Sequence, residues 1–247
     1  MGELIVNNKD IVVPGEELAQ GLDYLPSFGT YREENFIISA RLGMVNIDGR
    51  TIKITPLTGR YSPKRGDTII AKVIDVTFSG WRLETNCAYA AMLSVKDATS
   101  DFIARGADLT KYFDIGDYLV AKITNVTSQK LIDLTMKGPG LRKLIGGRVI
   151  KVNTNKVPRI IGKQGSMISM IKDATNCKII VGQNGLAWIN GDPQNEFIAV
   201  STIKKIEEES HISGLTERVK EYLQEQTKNM NIPKPTTHEE HDDYRGE

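Results

Sequence analysis

The sequence predicts a multidomain chain, mainly β at first and α+β later, and three observations carry that reading. Short apolar runs punctuated by Gly, Asp, Asn and Pro recur through the first half, as hairpins and small barrels require. Glycine stands at 22 of 247 residues, which suits many tight turns. Beyond Gly138-Pro139-Gly140, apolar residues take up helical spacing between two further strand-like runs. A chain of this length holds two or three small domains.

Residues 1–62 read as a small β domain. Ile11-Val12-Val13 is an apolar run broken by Pro14-Gly15, and Asn35 to Arg41 forms a second run. Met44 to Ile47, then Asp48-Gly49, then Thr51 to Ile54 predicts a hairpin, with Val45, Ile47, Ile52 and Ile54 alternating with polar neighbours. No catalytic group stands out here. The module either docks onto a partner or caps the next domain.

Residues 63–138 carry a weak internal repeat. Gly66-Asp67 to Val76 matches Gly116-Asp117 to Val126, with Ala-Lys and a β-branched residue at equivalent places. Each copy predicts one curved strand entering from a Gly-Asp turn. Gly80 to Thr85, Ala88 to Leu93 and Leu131 to Lys137 supply three more, with a small helix or loop after Leu93. Five strands over roughly seventy residues fit an OB-fold barrel. Gly80-Trp81 in the second strand and Leu134-Thr135-Met136-Lys137 in the fifth resemble an S1 RNA-binding domain across 64–138. Places that such domains give to aromatic or histidine side chains correspond here to Ser79, Arg82 and Leu93, so stacking on the barrel face is expected to be weak. Trp81 is expected in the barrel core. Binding by the barrel would then lean on Lys72, Arg82, Arg105, Lys111 and Lys122, which read phosphate and not base.

Residues 141–227 predict an α+β domain with C-terminal helices. Val157 to Ile161 reads as a strand end, Gly162-Lys163-Gln164-Gly165 as a tight turn, and Ser166 onward as a helix with Ile168, Ile171 and Ala174 facing the core. Two glycines three apart let a backbone come close to something bulky, and a helix N-terminus beyond them favours an anion. Cys177 to Val181 and Leu186 to Ile189 predict strands around Asn184-Gly185. Asp192-Pro193 then predicts the N-cap and first turn of a helix burying Phe197, Val200, Ile203 and Ile206. Leu215, Val219, Tyr222 and Leu223 predict one more amphipathic helix, and 228–247 a disordered acidic tail. Ile160-Ile161-Gly162-Lys163-Gln164-Gly165-Ser166-Met167-Ile168 resembles the G-x-x-G loop of a KH domain, which clamps single-stranded nucleic acid at its backbone. The resemblance assigns Gly162, Lys163, Gln164 and Gly165 to backbone contacts, with Arg159 steering.

Formal net charge is only +1, yet no acidic residue lies between Asp133 and Asp173, where nine lysines and arginines fall. A one-signed segment in a neutral chain suggests a directed footprint for a polyanion. Only Cys87 and Cys177 are present, without metal spacing, which points to a reducing, cytoplasmic setting. No apolar stretch approaches the ~18 residues of a membrane span. No nucleophile elbow, P-loop or H-E-x-x-H is found, so no enzyme is predicted. No cofactor is expected, and His238 and His241 in the polar tail are too little to predict a metal.

The order of β module, S1 barrel and single KH unit, with Val12-Val13-Pro14-Gly15 near the front, resembles the RNA-binding cap subunit of the archaeal-type RNA exosome. Such a subunit is non-catalytic. Three copies sit on a ring of RNase PH-like subunits, and the cap brings single-stranded RNA to the central pore for 3′-to-5′ degradation. The resemblance also implies that Gly182-Gln183-Asn184-Gly185 is a structural turn rather than a second clamp. The alternative is an S1/KH transcription or translation factor binding nascent RNA, although elongation factors of that kind carry two KH domains and this chain has room for one.

Overall fold

The computed structural model describes residues 2–100, 103–104, 106–210, 212 and 214–229. Arg105 and the predicted tail beyond Asn229, with His238 and His241, lie outside the described residues. The chain divides into two units, Met1–Arg60 and Tyr61–Glu247.

The first unit has two four-stranded sheets. One orders β1 (Glu3–Leu4), β3 (Glu17–Gln20), β6 (Phe36–Ser39) and β5 (Thr30–Glu33); the other orders β2 (Ile11–Val12), β7 (Gly43–Asp48), β8 (Thr51–Pro56) and β4 (Leu25–Pro26). The expected β7–β8 hairpin forms with Asp48 opposite Thr51 and Val45 opposite Ile54. Val12, Leu18, Ala19, Ile37, Val45, Ile52 and Ile54 close the core.

The second unit begins with the barrel. Strands β9 (Thr68–Thr77), β10 (Gly80–Glu84), β11 (Ala90–Ser94), β12 (Tyr118–Val126) and β13 (Ile132–Thr135) pair in the order 13-11-10-9-12, and β12–β13 pairing closes the circle. Helix α1 (Val95–Ala98) follows β11. The two repeat copies are β9 and β12, paired antiparallel around a local two-fold. Gly66 donates to the Ile123 carbonyl at 2.8 Å and Gly116 to that of Val73 at 2.9 Å; Val73 and Ile123 donate back to Asp117 and Asp67. The repeat is thus a symmetric strand pair whose Gly-Asp turns each end the other's ladder. Trp81 is fully buried, and its indole N–H donates to the Phe113 carbonyl at 2.8 Å. Leu93 is also fully buried, so it is a core residue and not an outward position as the sequence suggested. Alternation along β11 turns Met92 outward instead, opposite Arg82.

The chain then adds β14 (Lys143–Leu144) to the outside of β12 before entering the α+β part. There, β15 (Arg148–Lys151), β17 (Leu186–Asn190) and β16 (Lys178–Val181) form an antiparallel sheet in the order 15-17-16. Helices α2 (Val157–Ile161), α3 (Ser166–Thr175), α4 (Pro193–Glu209) and α5 (Leu215–Asn229) share one core with it.

Three local expectations are corrected. Val157–Ile161 is helix α2 and not a strand end. Pro158 occupies its first turn, where a missing N–H costs nothing, and Val157 and Ile160, three apart, are both fully buried. Phe197 is 59% exposed, because the buried stripe of α4 runs through Ile198, Ala199, Thr202, Ile203 and Ile206. Asp192 occupies the N-cap place of α4 without a side-chain cap bond. Glu196 instead reaches back to accept from the Gly191 N–H at 3.2 Å. In α3, Ile171 is fully buried as expected, but Met167 takes the deep flanking place while Ile168 and Ala174 pack half-buried beside it.

Candidate nucleic-acid interface

The α2–loop–α3 segment is built from the backbone outward. Asn153 accepts from the Asn155 N–H at 3.0 Å and starts a 3-10 turn over Thr154–Lys156 that runs into α2. The Asn153 N–H donates to Glu207 Oε1 of α4 at 2.7 Å, so the approach to α2 is anchored to a long helix. Gly162 ends α2 at φ 77° and donates to the Pro158 carbonyl at 3.0 Å. A Cβ at Gly162 would lie 2.7 Å from both the N and Cβ of Met167, so glycine is required there by space as well as by φ. Gln164 (φ 54°) and Gly165 (φ 81°) continue the left-handed path into α3, which starts without a side-chain cap. The result is a bend that exposes Lys163 and Gln164 and whose following helix offers its positive end.

Arg159, Lys163 and Gln164 are exposed on this bend. Arg159, Gly162, Lys163 and Ser166 form one wall of a groove of about 800 Å³, and Gly214, Thr216 and Glu217 belong to its other wall. The groove thus carries Arg159 and Lys163 on its loop side and Glu217 opposite, a charge difference that favours an anion at the loop. The structure therefore brings the five predicted residues Arg159, Gly162, Lys163, Gln164 and Gly165 together on one segment, and three of them, Arg159, Gly162 and Lys163, line the groove. Within the acid-free run, Lys143 is the only member that forms an ion pair among the described residues, with Asp117. Burial opposes the charge of Asp117, but Lys143 and the Asp114 backbone outweigh it and hold the carboxyl below its usual range. Lys137, Arg142, Arg148, Lys151, Lys156, Arg159, Lys163 and Lys172 form no ion pair among the described residues.

The barrel cations are not gathered in this way. Lys72 lies 5.8 Å from the Tyr118 ring centroid and pairs in register with Glu84. Arg82 reaches Asp75 at 4.0 Å. Lys122 is in the middle of β12, opposite Thr68 at the start of β9, and Lys111 ends a 3-10 turn in the β11–β12 connection. Of the nearby aromatics, Phe78 is 99% exposed and Tyr89 43%.

The second G-x-x-G run behaves differently. Asn184 is fully buried; its side-chain amide donates to the carbonyls of Ile70 at 2.7 Å and Thr85 at 2.9 Å and accepts from the Ile70 N–H at 3.3 Å. Gln183 N–H donates to the Thr68 carbonyl, and Asn86 donates to the Asn184 carbonyl. Beside this turn, Ile70 and Val120 from the barrel, Leu144, and Leu186 and Trp188 from the α+β sheet share an apolar core. Gly182–Gly185 is therefore a plug in the barrel wall, with its main chain already occupied. An Asn-Gly hairpin signal could not reveal that partner.

These features define a class: a five-stranded OB-type barrel with a three-stranded KH-type domain locked to its side, an exposed Gly-Lys-Gln-Gly bend and a separate β module. Comparison with known proteins narrows it. The family model for the KH domain matches residues 147–205, and that for the exosome complex exonuclease RRP4 N-terminal region matches 11–48. The exosome complex component Rrp4 of Pyrococcus furiosus is 45% identical over 227 residues, covering 90% of this chain and 86% of the relative. That of Methanothermus fervidus is 44% identical over 221 residues, covering 89% and 97%. A crystal structure provisionally described as an exosome complex RNA-binding protein superposes with a TM-score of 0.62 at 32% identity, over 70% of this chain and 99% of that one. The chain belongs to the Rrp4 family of exosome components.

Proposed function

We propose that this chain is the non-catalytic RNA-binding cap of a cytoplasmic exosome. Three copies would sit on a ring of RNase PH-like subunits and bring single-stranded RNA to the central pore for 3′-to-5′ degradation. The observation that carries this reading is the Gly162–Gly165 bend: two glycine positions around exposed Lys163 and Gln164, Arg159 beside them, and an uncapped helix start behind. The acid-free run around the bend supports a polyanion as ligand. The barrel cations Lys72, Arg82, Lys111 and Lys122 would add scattered phosphate contacts along the strand. Family membership supports exosome assembly, and exposed Ile11, Val13, Leu22, Leu25 and Phe28 in the first unit offer apolar surface to a ring subunit.

The test is binding of a labelled single-stranded oligoribonucleotide to the full chain carrying Lys163→Asp with Gln164→Asp. Both side chains are exposed and Asp tolerates the left-handed region, so the fold survives. A loss of about tenfold or more in affinity is expected, and full retention overturns the clamp. Degradation of RNA by the purified chain alone would remove the non-catalytic reading.

A further inference from the structure

We propose that the segment 230–247 of this chain lies back along a trough between α3 and α5 and sets its carboxylates against Arg159 and Lys163, where it competes with RNA for the Gly162–Gly165 bend. This deepens the proposed function and rests on the bend being the RNA grip.

The surface that receives the segment is continuous. Helix α5 buries Leu215, Val219 and Leu223 in the core that α3 and α4 share. Between α5 and α3 runs a trough of about 480 Å³, lined by Met170, Ala174, Lys220, Leu223 and Thr227 among others. It reaches Thr227, close to Asn229, the last residue of α5. It also reaches Ser166, which lines the groove at the bend as well, so the trough opens beside Arg159 and Lys163. Helix α5 starts in that second groove with Leu215, Thr216 and Glu217. Helix and trough therefore run side by side from the bend to the last described residues.

Charge divides along the same path. The charged lining residues of the trough, Lys220 and Asp173, are opposite in sign, whereas the groove at the bend has Arg159 and Lys163 on its loop side. The sequence beyond Asn229 has the matching order. Residues 230–238 include Met230, Ile232, Pro233 and Pro235, with Lys234 as their one formal charge. Residues 239–247 hold Glu239, Glu240, Asp242, Asp243 and Glu247 against Arg245. Residues 1–229 carry 30 lysines and arginines and 26 acids, a formal +4, while residues 230–247 carry two and five, a formal −3. The segment thus offsets most of the charge that the rest of the chain offers a polyanion.

The reach fits as well. From Thr216 to Thr227 the helix rises ~17 Å at ~1.5 Å per residue. Residues 230–238, rich in proline, span up to ~28 Å at ~3.1 Å per residue. The first carboxylates therefore arrive at the bend with slack. A carboxylate and a phosphate use the same groups there, the two cations and the positive end of α3. The tether supplies an effective concentration in the millimolar range, so a pairing that is weak in itself still occupies the bend.

The experiment compares the full chain with one carrying Glu239→Gln, Glu240→Gln, Asp242→Asn and Asp243→Asn together, using labelled oligoadenylate. At about 50 mM salt the neutralised chain is expected to bind about threefold or more tightly, and at about 300 mM the two chains are expected to converge. In a Lys163→Asp background the neutralisation is expected to lose most of its effect. Without RNA, the backbone amide signals of Lys163 and Gly165 in magnetic resonance spectra are expected to differ between the two chains at low salt. Identical signals overturn the docking, and leave the RNA grip intact where the wild type still binds oligoadenylate. Shifted signals in a chain that binds no oligoadenylate, alone or in the assembled particle, overturn the RNA grip and not the docking. An equal gain in the Lys163→Asp background means general repulsion and overturns the site. A gain that scales with protein concentration puts the segment on a neighbouring copy and overturns the intramolecular path.

Discussion

At Asn184 a single side chain decides how two domains meet. Its amide is fully buried and bonds both main-chain groups of Ile70 and the Thr85 carbonyl. Asn184→Ala leaves these buried groups unpaired, each worth ~1–3 kcal/mol. Urea unfolding of the full chain is expected to show a loss of about 2–4 kcal/mol, and a loss below about 0.5 would contradict the pinning role. Asn184→Asp is expected to do worse, since a carboxylate would oppose two carbonyls. At Gly162 the constraint is space: any Cβ meets Met167. Gly165 is different, with φ 81° but only the Ile168 side chain at 3.9 Å, so Gly165→Ala carries backbone strain alone, on the order of 1 kcal/mol. Gly162→Ala is therefore expected to lower RNA affinity more than Gly165→Ala, because it displaces the first turn of α3. Binding titrations of the two variants check this, and the reverse order would mean that the amides near Gly165, not the α3 start, make the grip.

Among the elements, ion pairs fasten the outer ones. The Lys143 pair with Asp117 ties β14 to the barrel, and Glu209 at the end of α4 takes Lys205 of its own helix and Arg218 of α5. The Lys205 ammonium, then the Arg218 guanidinium, holds the Glu209 carboxyl below its usual range, as Lys143 does for Asp117. Both groups ionise more readily folded than unfolded. Their contribution is therefore present above the unfolded pKa near 4 and is lost as pH falls through the lower folded values. Thermal melts between about pH 5 and pH 3 are expected to fall, and Lys143→Met is expected to reduce that slope; an unchanged slope would remove Asp117 from the account. The elements also show which parts of the fold the sequence discloses. Strands β9 and β12 were legible because both copies of one pattern repeat the alternation that a half-buried strand needs, and α5 because Leu215, Val219 and Leu223 keep one period. Strands β3, β5 and β15 were not, since Glu17–Gln20, Thr30–Glu33 and Arg148–Lys151 are short and offer no long apolar run. Helix α2 failed for another reason: five residues with three β-branched side chains look like strand, and only packing against α3 and α4 makes them helix. The bend at Gly162–Gly165 was legible because local backbone geometry alone defines it. The plug at Asn184 was not, because its partner lies 114 residues away.

For the whole molecule, the arrangement matters because one grip of this kind is weak. On the proposed function, the bend would hold phosphate through main chain and two cations, read no base, and lose affinity with salt. The second unit adds to it by rigidity: the Asn184 plug and the shared core around Ile70, Leu186 and Trp188 fix the barrel and the KH-type domain as one body. A strand held at the bend and at the barrel thus engages both sites without ordering a linker between them, so the second contact is effectively intramolecular. If three such bodies surround one pore, the same logic applies again between copies. Assembled particles should bind a long single strand on the order of a hundredfold more tightly than the free chain, while an oligomer too short to span two sites should gain little. Comparing both lengths on the free chain and the reconstituted particle, at two salt concentrations, separates the effects. Shared electrostatics would steepen the salt dependence of the long strand only. Equal affinity of long and short RNA for the particle would mean that the copies act singly, and that the strand is threaded past one grip at a time.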